Sequence, residues 1–368
     1  MKKIFLTFFT IVSLFSFAQE TVTQETNTIP PGYYATATGT GYVLKTQLYN
    51  IIKNHNDQGY GGLYTTYLTS DIDNVFENDG TILDMYSENP TGTDPYNFTT
   101  GTAQRCGNYS SEGDCYNREH IIPQSIFNSN SPMVSDAHFV TPSDGKVNGQ
   151  RGNMAQGQVG NANIITLNGS KVGPASNTGY AAGFTGTVFE PIDEFKGDIA
   201  RMYFYFATRY ENGVSGYPYV AFNGTSNQVF TDAYKNILLT WNQLDPVSPR
   251  EISRNNAIYA RQNNRNPYID NNAFVTAIWG EPLETKGFDA FRTISVFPNP
   301  TNNHKVNIQT TAIIDDIQLI NSNGQLVLQV KNPVAINSLY SLENLPQGFY
   351  FLKLTSNNQT VTKKMIVN

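Results

Sequence analysis

The segment NREHIIPQS places a carboxylate and an imidazole side by side, at Glu119 and His120. A carboxylate is a hard oxygen ligand suited to Mg²⁺ or Ca²⁺, and a neutral imidazole with a pKa of about 6.5 can take a proton from water at neutral pH. Neighbours on an extended strand point to opposite faces, so the two side chains share a task only if the backbone turns or a third object lies between them. A metal ion with its water is such an object, and the pair therefore suits metal-assisted hydrolysis.

A second polar segment, SDAHFVTPSDGKVNGQRGN at residues 135–153, follows closely. It is rich in turn-forming residues and in types that bind metals or contact phosphate. Its candidates are Asp136, His138, Asn148, Arg151 and Asn153. A Glu-His pair alone is more often a surface carboxylate beside a hydrogen-bonded histidine, and this second concentration of ligand types is what favours a site.

Helices are expected on both sides of these segments. Apolar residues at helical spacing predict one helix over residues 44–52, a second that starts near Asp198 and a third over residues 233–241. A fourth helix is expected from Pro249 to Asn263, with Pro267 just beyond it. Residues 70–117 are rich in Gly, Asn, Asp and Thr and indicate loops with a strand or two. The fold class predicted for this part is α+β.

The last part of the chain has a different pattern. Short alternating segments with an Asn323-Gly324 hairpin turn predict β-strands after residues 285–292. Because a single core usually serves about 100–200 residues, a chain of 368 residues is expected to form two domains. We predict a small all-β sandwich domain over residues 294–368, after a linker at residues 286–293.

The beginning of the chain predicts export. Lys2 and Lys3 precede an apolar run that ends in small residues at Ala18, which is typical of a secretory signal peptide over residues 1–18. No other segment has the roughly 20 apolar residues that a membrane helix needs, so no membrane-spanning segment is expected. The two cysteines, Cys106 and Cys115, are expected to form a disulfide in an oxidising environment, with two buried free thiols as the alternative.

The overall charge does not favour a polyanionic partner. Charged residues make up 15% of the chain and the formal net charge is −6, whereas phosphate binding normally leaves a basic footprint. The arginines nevertheless collect between Arg105 and Arg265. A nucleic acid would therefore bind that part of the chain.

The two polar segments together resemble the active-site signature of the bacterial endonuclease I family, secreted or periplasmic nucleases with a ββα-metal (His-Me) finger. FEPIDEFKGDIARMYFY, WNQLDPV and RNNAIYARQNNRNPYI extend the resemblance over residues 33–279. It implies an endonuclease I-like domain over residues 19–285 and a metal-dependent endonuclease that hydrolyses DNA with little sequence specificity, with RNA open as a second substrate. The implied cofactor is Mg²⁺, with Ca²⁺ or Mn²⁺ also open.

The resemblance implies roles for Arg118, Glu119 and His120 of the first segment and for Asn148 of the second. His120 would be the general base that activates water, and Glu119 and Asn148 would hold one divalent cation. That cation would neutralise charge that develops on the phosphate. Arg118 would support one of these groups or a phosphate.

The second segment would support the first. Asp136 and His138 match an SDxH segment whose residues would orient the ligands. Arg151 and Asn153 match an NGxRxN run that would contact phosphate or brace the metal loop. The chain departs from some relatives at Val134, where they have a glutamate, and residues 120–134 contain no arginine that could clamp a phosphate.

A replacement for that arginine is visible further along the chain. Arg250, Arg254, Arg261 and Arg265 are separated by four, seven and four residues, which predicts one helical face. Such a face, with Arg254 and Arg261 in its middle, could follow a nucleic-acid backbone through charge. Solvated arginines that pair with nearby acids are the alternative.

The C-terminal segments SVFPNPTNN and LPQGFYFLKLTSNNQTVTKKMIVN resemble the type A sorting domain of type IX secretion substrates. This resemblance implies a secreted protein, extracellular or at the cell surface, with the secretion machinery as a partner. An adhesive or carbohydrate-binding β-sandwich is the alternative for this domain.

Two other functions remain open for the chain as a whole. Glu119, His120, Asp136 and His138 could form the zinc site of a different metallohydrolase. A non-catalytic extracellular protein that binds nucleic acid or mediates adhesion is the second possibility. In each case we expect a monomer.

Overall fold

The computed structural model describes residues 28–280 and 294–368, apart from residues 311, 322, 336–337 and 357–358. The predicted signal peptide and the predicted linker lie outside the described residues, as do both ends of the first predicted domain.

Residues 28–280 are mixed α/β with a predominance of helices. The helices are α1 (Gly41–Ile52), α2 (Gly59–Ser70), α3 (Gly145–Arg151), α4 (Lys196–Arg209), α5 (Asp232–Leu244), α6 (Pro249–Gln262), α7 (Pro267–Asp270) and α8 (Ala273–Trp279). The strands are β1 (Tyr116–His120), β2 (Val140–Asp144), β3 (Ile164–Ile165), β4 (Lys171–Pro174) and β5 (Thr187–Glu190). β1 pairs with β2, while β3, β4 and β5 form a second small antiparallel sheet.

The four predicted helices are confirmed as α1, α4, α5 and α6. Helix α4 is the centre of the core, because each of its residues is buried. Helix α6 begins with a capping box in which Ser248 and Glu251 exchange hydrogen bonds, and Pro249 occupies its first turn.

Helix α2 was not predicted, since its sequence GYGGLYTTYLTS carries three glycines and glycine has a low intrinsic helix propensity. The segment is helical because tertiary packing outweighs propensity. Leu63 and Tyr67, one helical turn apart, are both buried, and the helix packs against α6.

The arginine face expected on α6 and beyond does not exist. Arg250 donates to Asp198 at 2.9 Å, Arg254 pairs with Asp71 at 2.8 Å, and Arg265 pairs with Asp270 at 2.6 Å. All six side chains are buried. Arg250, Arg254 and Arg261 lie on α6, whereas Arg265 lies beyond its end, and the carboxylates that pair with Arg250, Arg254 and Arg265 turn those arginines into the core. They therefore brace the fold and do not form a surface for a polyanion.

Residues 294–368 form a β-sheet region. Its strands are β6 (Ser295–Phe297), β7 (Val306–Gln309), β8 (Asp316–Asn321), β9 (Leu326–Lys331), β10 (Leu339–Leu342), β11 (Gly348–Ser356) and β12 (Gln359–Val367). They make two antiparallel sheets, in the orders β10-β7-β6 and β12-β11-β8-β9. The two sheets contribute to one hydrophobic core that is separate from the core of residues 28–280.

The predicted hairpin in this region is confirmed as the β8–β9 pair. Gly324 adopts a φ of 79°, which is a conformation that favours glycine and explains the Asn-Gly turn. Within the described part of the chain, no helix has the length and apolar character required to cross a bilayer.

Candidate active site

Two antiparallel strands followed by a helix position the residues of the first polar segment. Across the β1–β2 pair, His120 lies opposite Val140 and Glu119 lies opposite Thr141. Helix α3 starts directly after β2, where the Asp144 side chain accepts from the backbone N–H of Val147 at 2.8 Å. The helix packs on both strands: Asn148 contacts Asn117 near the start of β1, and Arg151, the last residue of α3, contacts the backbone oxygen of His120 at the end of β1.

Glu119 is a buried carboxylate with two partners. It is 1% exposed, and its Oε1 accepts from the Tyr86 hydroxyl at 3.0 Å and lies 3.0 Å from Nη1 of Arg151. Burial raises the pKa of Glu119, while the Arg151 guanidinium and the Tyr86 hydroxyl act in the opposite direction. These two partners favour an ionised carboxylate, which is the form that binds a cation.

Arg151 ties this carboxylate to the end of β1. Besides the ion pair with Glu119, it donates to the backbone oxygens of His120 at 2.7 Å and Ile121 at 2.6 Å. The side chain is 1% exposed, so it has no surface to offer a phosphate. Of the two roles predicted for Arg151, the geometry favours bracing.

Asn148, on α3, faces the same side of β1 as Glu119. Its Nδ2 donates to Oδ1 of Asn117 at 2.6 Å, and Asn117 is two residues before Glu119 on the strand. Residues two apart on a strand share a face. Since the amide nitrogen makes this contact, the carbonyl oxygen of Asn148 is the atom that remains for a cation.

His120, the last residue of β1, has a defined tautomer. Its Nε2 lies 3.1 Å from the backbone oxygen of Val134. A carbonyl oxygen can only accept, so Nε2 carries the proton and Nδ1 keeps its lone pair. The ring is 4% exposed, and burial lowers the pKa of His120 to about 4, so the neutral form prevails at pH 7.

Arg118 is held by tyrosines. Its guanidinium lies 3.5 Å from the ring centroid of Tyr60 and 4.5 Å from that of Tyr64, and Nη1 donates to the Tyr60 carbonyl at 3.0 Å. Tyr60 is 38% exposed, and its ring centroid is 6.0 Å from that of His120. Arg118 and Tyr60 thus form a partly accessible cationic and aromatic edge beside the histidine.

Asp136 and His138 belong to a buried network. Asp136 accepts from the hydroxyls of Tyr205 and Tyr210, each at 2.8 Å, and Nε2 of His138 donates to the backbone oxygen of Asn264 at 3.0 Å. Although burial opposes ionisation, nearby histidines and Arg209 lower the pKa of Asp136 to about 2. Burial lowers the pKa of His138 to about 4.

The alternative prediction of a zinc site is wrong, because its four ligands do not come together. Among the residues that the structure describes, Glu119, His120, Asp136 and His138 do not form a group whose ligand atoms lie within 4.8 Å of one another. The strand points its last two side chains to opposite faces, and the contacts of Asp136 and His138 are with the helical core.

The remaining predicted contacts lie apart from this arrangement. Asn153 is exposed just after α3. Arg254 donates to Asp71 and to the carbonyl of Ala137 at 2.6 Å, and it is buried. Arg261 is half-buried and donates to the Thr66 hydroxyl at 2.9 Å. The guanidinium of Arg254 is enclosed, so its geometry favours a bracing role over a substrate contact.

Sequence reasoning missed two residues of the site. Tyr86, which donates to Glu119, comes from a loop-rich stretch without periodicity, and nothing in the sequence singled it out. Tyr60 lies on the unpredicted helix α2. Had α2 been predicted, Tyr60 and Tyr64 would have been expected on one face, because they are four residues apart.

The predicted disulfide between Cys106 and Cys115 is confirmed. It holds a loop against the start of α3, since the backbone N–H of Gly145 donates to the Cys115 carbonyl at 2.8 Å. A Cβ atom at Gly145 would lie 2.5 Å from Sγ of Cys106 and 2.7 Å from the Tyr109 ring. The close approach of loop and helix therefore depends on glycine at this position.

Gly145→Ala is expected to lower the free energy of unfolding by about 1–3 kcal/mol, because the added methyl group forces the disulfide loop away from α3. Gly61→Ala is the matched control: it lies in a helix and its Cβ would meet no atom within 4 Å. That variant should be stabilised by up to about 1 kcal/mol. Urea denaturation measures both, and equal stability of the two variants would contradict the packing described here.

Both parts of the chain match known families. Residues 40–273 match the model of Endonuclease I, and residues 295–368 match the model of a secretion system C-terminal sorting domain. The first match contains each residue of the β1–β2–α3 arrangement.

Proteins similar to this chain include two extracellular ribonucleases and an endonuclease. The extracellular ribonuclease of Bacillus amyloliquefaciens is 34% identical over 254 residues, which are 67% of this chain and 78% of that protein. The extracellular ribonuclease of Bacillus subtilis (strain 168) is 33% identical over 253 residues, with the same shares. Endonuclease-1 of Buchnera aphidicola subsp. Acyrthosiphon pisum is 26% identical over 137 residues, which are 37% of this chain and 45% of that protein.

Proposed function

Because the chain belongs to the Endonuclease I family and ends in a type IX secretion sorting domain, we propose that this secreted or cell-surface nuclease cuts both DNA and RNA with little sequence preference. The predictions of family, of nuclease activity and of location are confirmed by these matches. The catalytic roles, the metal and the substrates are our proposal.

The observation that carries the proposed mechanism is the hydrogen bond from Nε2 of His120 to the Val134 carbonyl. It fixes the ring orientation and leaves Nδ1 as the acceptor for a proton of water. The carbonyl partner also stabilises the imidazolium that forms when the proton is taken. His120 therefore acts as the general base, and no nucleophilic side chain is required.

The family depends on a divalent metal ion, and the donors present here fit one. The Glu119 carboxylate and the Asn148 carbonyl are hard oxygen donors on one side of β1, and the structure accordingly supports the two strands and α3 as a ββα-metal finger. A bound Mg²⁺ would supply positive charge against the phosphate as the bond breaks. Arg151 and Tyr86 hold the Glu119 carboxylate in place. Arg118 and Tyr60 offer a positive charge and an aromatic ring surface to a bound nucleic-acid strand.

Two considerations support a broad choice of substrate. Two relatives are named extracellular ribonucleases, which favours RNA. The proposed base takes its proton from water and not from a ribose 2′-hydroxyl, so the mechanism applies equally to DNA. Asn153 and Arg261, the predicted contacts that keep some exposure, remain candidates for phosphate binding.

The chemistry of the product ends tests this mechanism. Attack by water on phosphorus, with cleavage of the bond to the 3′-oxygen, leaves a 5′-phosphate and a 3′-hydroxyl on both nucleic acids. End-labelling and mass spectrometry of cleaved RNA and DNA oligonucleotides should show these ends. Cyclic 2′,3′-phosphate ends on RNA together with intact DNA would contradict the proposal, because they require the 2′-hydroxyl as nucleophile.

Asn148→Ala is expected to raise the Mg²⁺ concentration for half-maximal cleavage by about ten-fold or more, because one of two side-chain oxygen donors is lost. Asn153→Ala is the matched control, since Asn153 lies exposed just beyond the same helix. Its half-maximal Mg²⁺ concentration should stay unchanged. Measuring the cleavage rate as a function of Mg²⁺ concentration tests this prediction. Equal half-maximal Mg²⁺ concentrations for the parent and Asn148→Ala would contradict a metal-binding role for Asn148.

The rate of cleavage at saturating Mg²⁺ should stay level from about pH 8 down to about pH 5 and fall below that. The base must be neutral, and burial lowers the pKa of His120 to about 4, so protonation removes activity only as the pH approaches that value. A pH–rate profile with a half-maximal point near about 6.5, the value of an unperturbed histidine, would contradict the buried base.

We further propose the domain limits, with the nuclease domain at residues 19–285 and the sorting domain, a small β-sandwich, at residues 294–368. Two separate cores and two separate family matches support this division. A monomer remains our expectation, and sedimentation of the purified chain measures it.

A further inference from the structure

Three carboxylates converge away from the β1–β2–α3 arrangement. Glu77, Glu88 and Asp94 each place an oxygen within 4.8 Å of the other two. Glu77 is exposed, Asp94 is half-buried, and Glu88 is 1% exposed. The cluster thus reaches from solvent into the fold, within the loop-rich stretch that precedes β1.

The innermost carboxylate has an unpaired oxygen. Oε1 of Glu88 is buried and has no hydrogen-bond partner among the described residues. Buried polar atoms without partners are rare, because they lose their hydration without compensation. Burial, followed by the nearby Asp94 and Glu77 carboxylates, raises the pKa of Glu88 to about 9.

We propose that Glu77, Glu88 and Asp94 bind a Ca²⁺ ion, separate from the catalytic metal. All three donors are carboxylate oxygens, and the group contains no imidazole or thiolate, which fits a hard cation. Ca²⁺ accepts six to eight oxygens in flexible geometry, so backbone oxygens and water can complete its shell on the exposed side. Mg²⁺ demands a stricter octahedron that loops supply less readily.

The site is connected to the candidate active site through the same loop. Two residues before Glu88, the Tyr86 hydroxyl donates to Glu119 at 3.0 Å. Asp84 accepts from the backbone N–H of Tyr86 at 2.9 Å and from that of Asp144, at the start of α3, at 2.7 Å. A cation that holds Glu88 in place therefore stabilises the loop that positions the catalytic carboxylate.

The test uses thermal unfolding of the chain without its signal peptide, in EGTA, in CaCl₂ and in MgCl₂. At a Ca²⁺ concentration about 100 times the dissociation constant, the parent melting temperature should rise by about 5 °C or more. Asn148→Ala, which weakens the proposed catalytic site, and Glu194→Gln, which changes an exposed acid elsewhere, should show the same rise. This readout is independent of nuclease activity, so it can fail or succeed whatever the reaction proves to be.

Glu77→Gln and Asp94→Asn should lose the Ca²⁺-dependent rise. In EGTA both variants should melt at or above the parent temperature, because each removes a like charge from the cluster. That crossover separates a cation site from a merely structural role, which would lower stability in every buffer. No rise in the parent, an equal rise in Glu77→Gln and Asp94→Asn, a rise lost only in Asn148→Ala, or a rise with Mg²⁺ alone would each overturn the proposal.

Discussion

Replacing His120 by alanine should lower the rate of DNA and RNA cleavage about 10³-fold, within the range of about 10²–10⁴ that general-base catalysis contributes. The physical reason is the fixed tautomer: the Val134 carbonyl takes the Nε2 proton, and Nδ1 remains as the base. Loss of the ring leaves the metal donors on β1 and α3 in place. Binding of Mg²⁺ should therefore change much less than the rate at saturating substrate.

His138→Ala is the matched control for this substitution. Both histidines are buried and both have a pKa lowered to about 4, but the contacts of His138 lie in the helical core. We expect His138→Ala to lose stability and to retain most of its turnover per folded molecule. Equal losses of turnover in the two variants, with both folded by circular dichroism, would contradict the assignment of His120 as the base.

Arg151→Met is the second substitution with a large expected effect, and it acts on stability. It should lower the free energy of unfolding by about 3–5 kcal/mol, since removal of one partner leaves the buried carboxylate of Glu119 uncompensated. The backbone oxygens of His120 and Ile121 lose their donor at the same time. Chemical denaturation of the parent and the variant measures the difference.

A double variant separates the effect of the buried charge from the effect of the lost arginine contacts. In Glu119→Gln/Arg151→Met the buried carboxylate is gone, so stability should return part of the way towards the parent. Arg261→Met is the control, because Arg261 is half-buried and donates to neutral oxygens at Thr66 and Gln58, and it should cost about 1 kcal/mol or less. A loss for Arg151→Met no larger than that for Arg261→Met would contradict the bracing role.

The regular elements of this fold were predictable where one local rule dominates. Periodic apolar residues identified α4 and α5, and an Asn-Gly turn identified the β8–β9 hairpin. Helix α2 was not predictable, because three glycines oppose helix formation and only contacts with α6 overcome them. Contacts of that kind join segments far apart in sequence and leave no local pattern.

The same limit applies to the site. Residue types and a family resemblance identified Glu119, His120 and Asn148. The partners that orient them are a tyrosine from a loop, Tyr86, and a backbone carbonyl, that of Val134. A backbone oxygen has no residue type to recognise, so no sequence argument could have selected it.

The arginines show the opposite error, in which a pattern was visible but incomplete. The spacing of Arg250 and Arg254 on α6 indicated a cationic face. Their partners, Asp198 and Asp71, come from another helix and from a loop, and the resulting ion pairs are buried. Spacing within a helix describes which residues share a face, but burial of that face is decided by the rest of the fold.

The most direct test of metal-dependent nuclease activity is to incubate supercoiled plasmid DNA with the purified chain, in Mg²⁺ and in EDTA. We expect nicked, then linear, then fragmented DNA in Mg²⁺, no cleavage in EDTA, and recovery when excess Mg²⁺ is added back. A folded protein that leaves the plasmid intact in Mg²⁺, Mn²⁺ and Ca²⁺ would contradict the account, and would favour a protein that binds nucleic acid without cutting it.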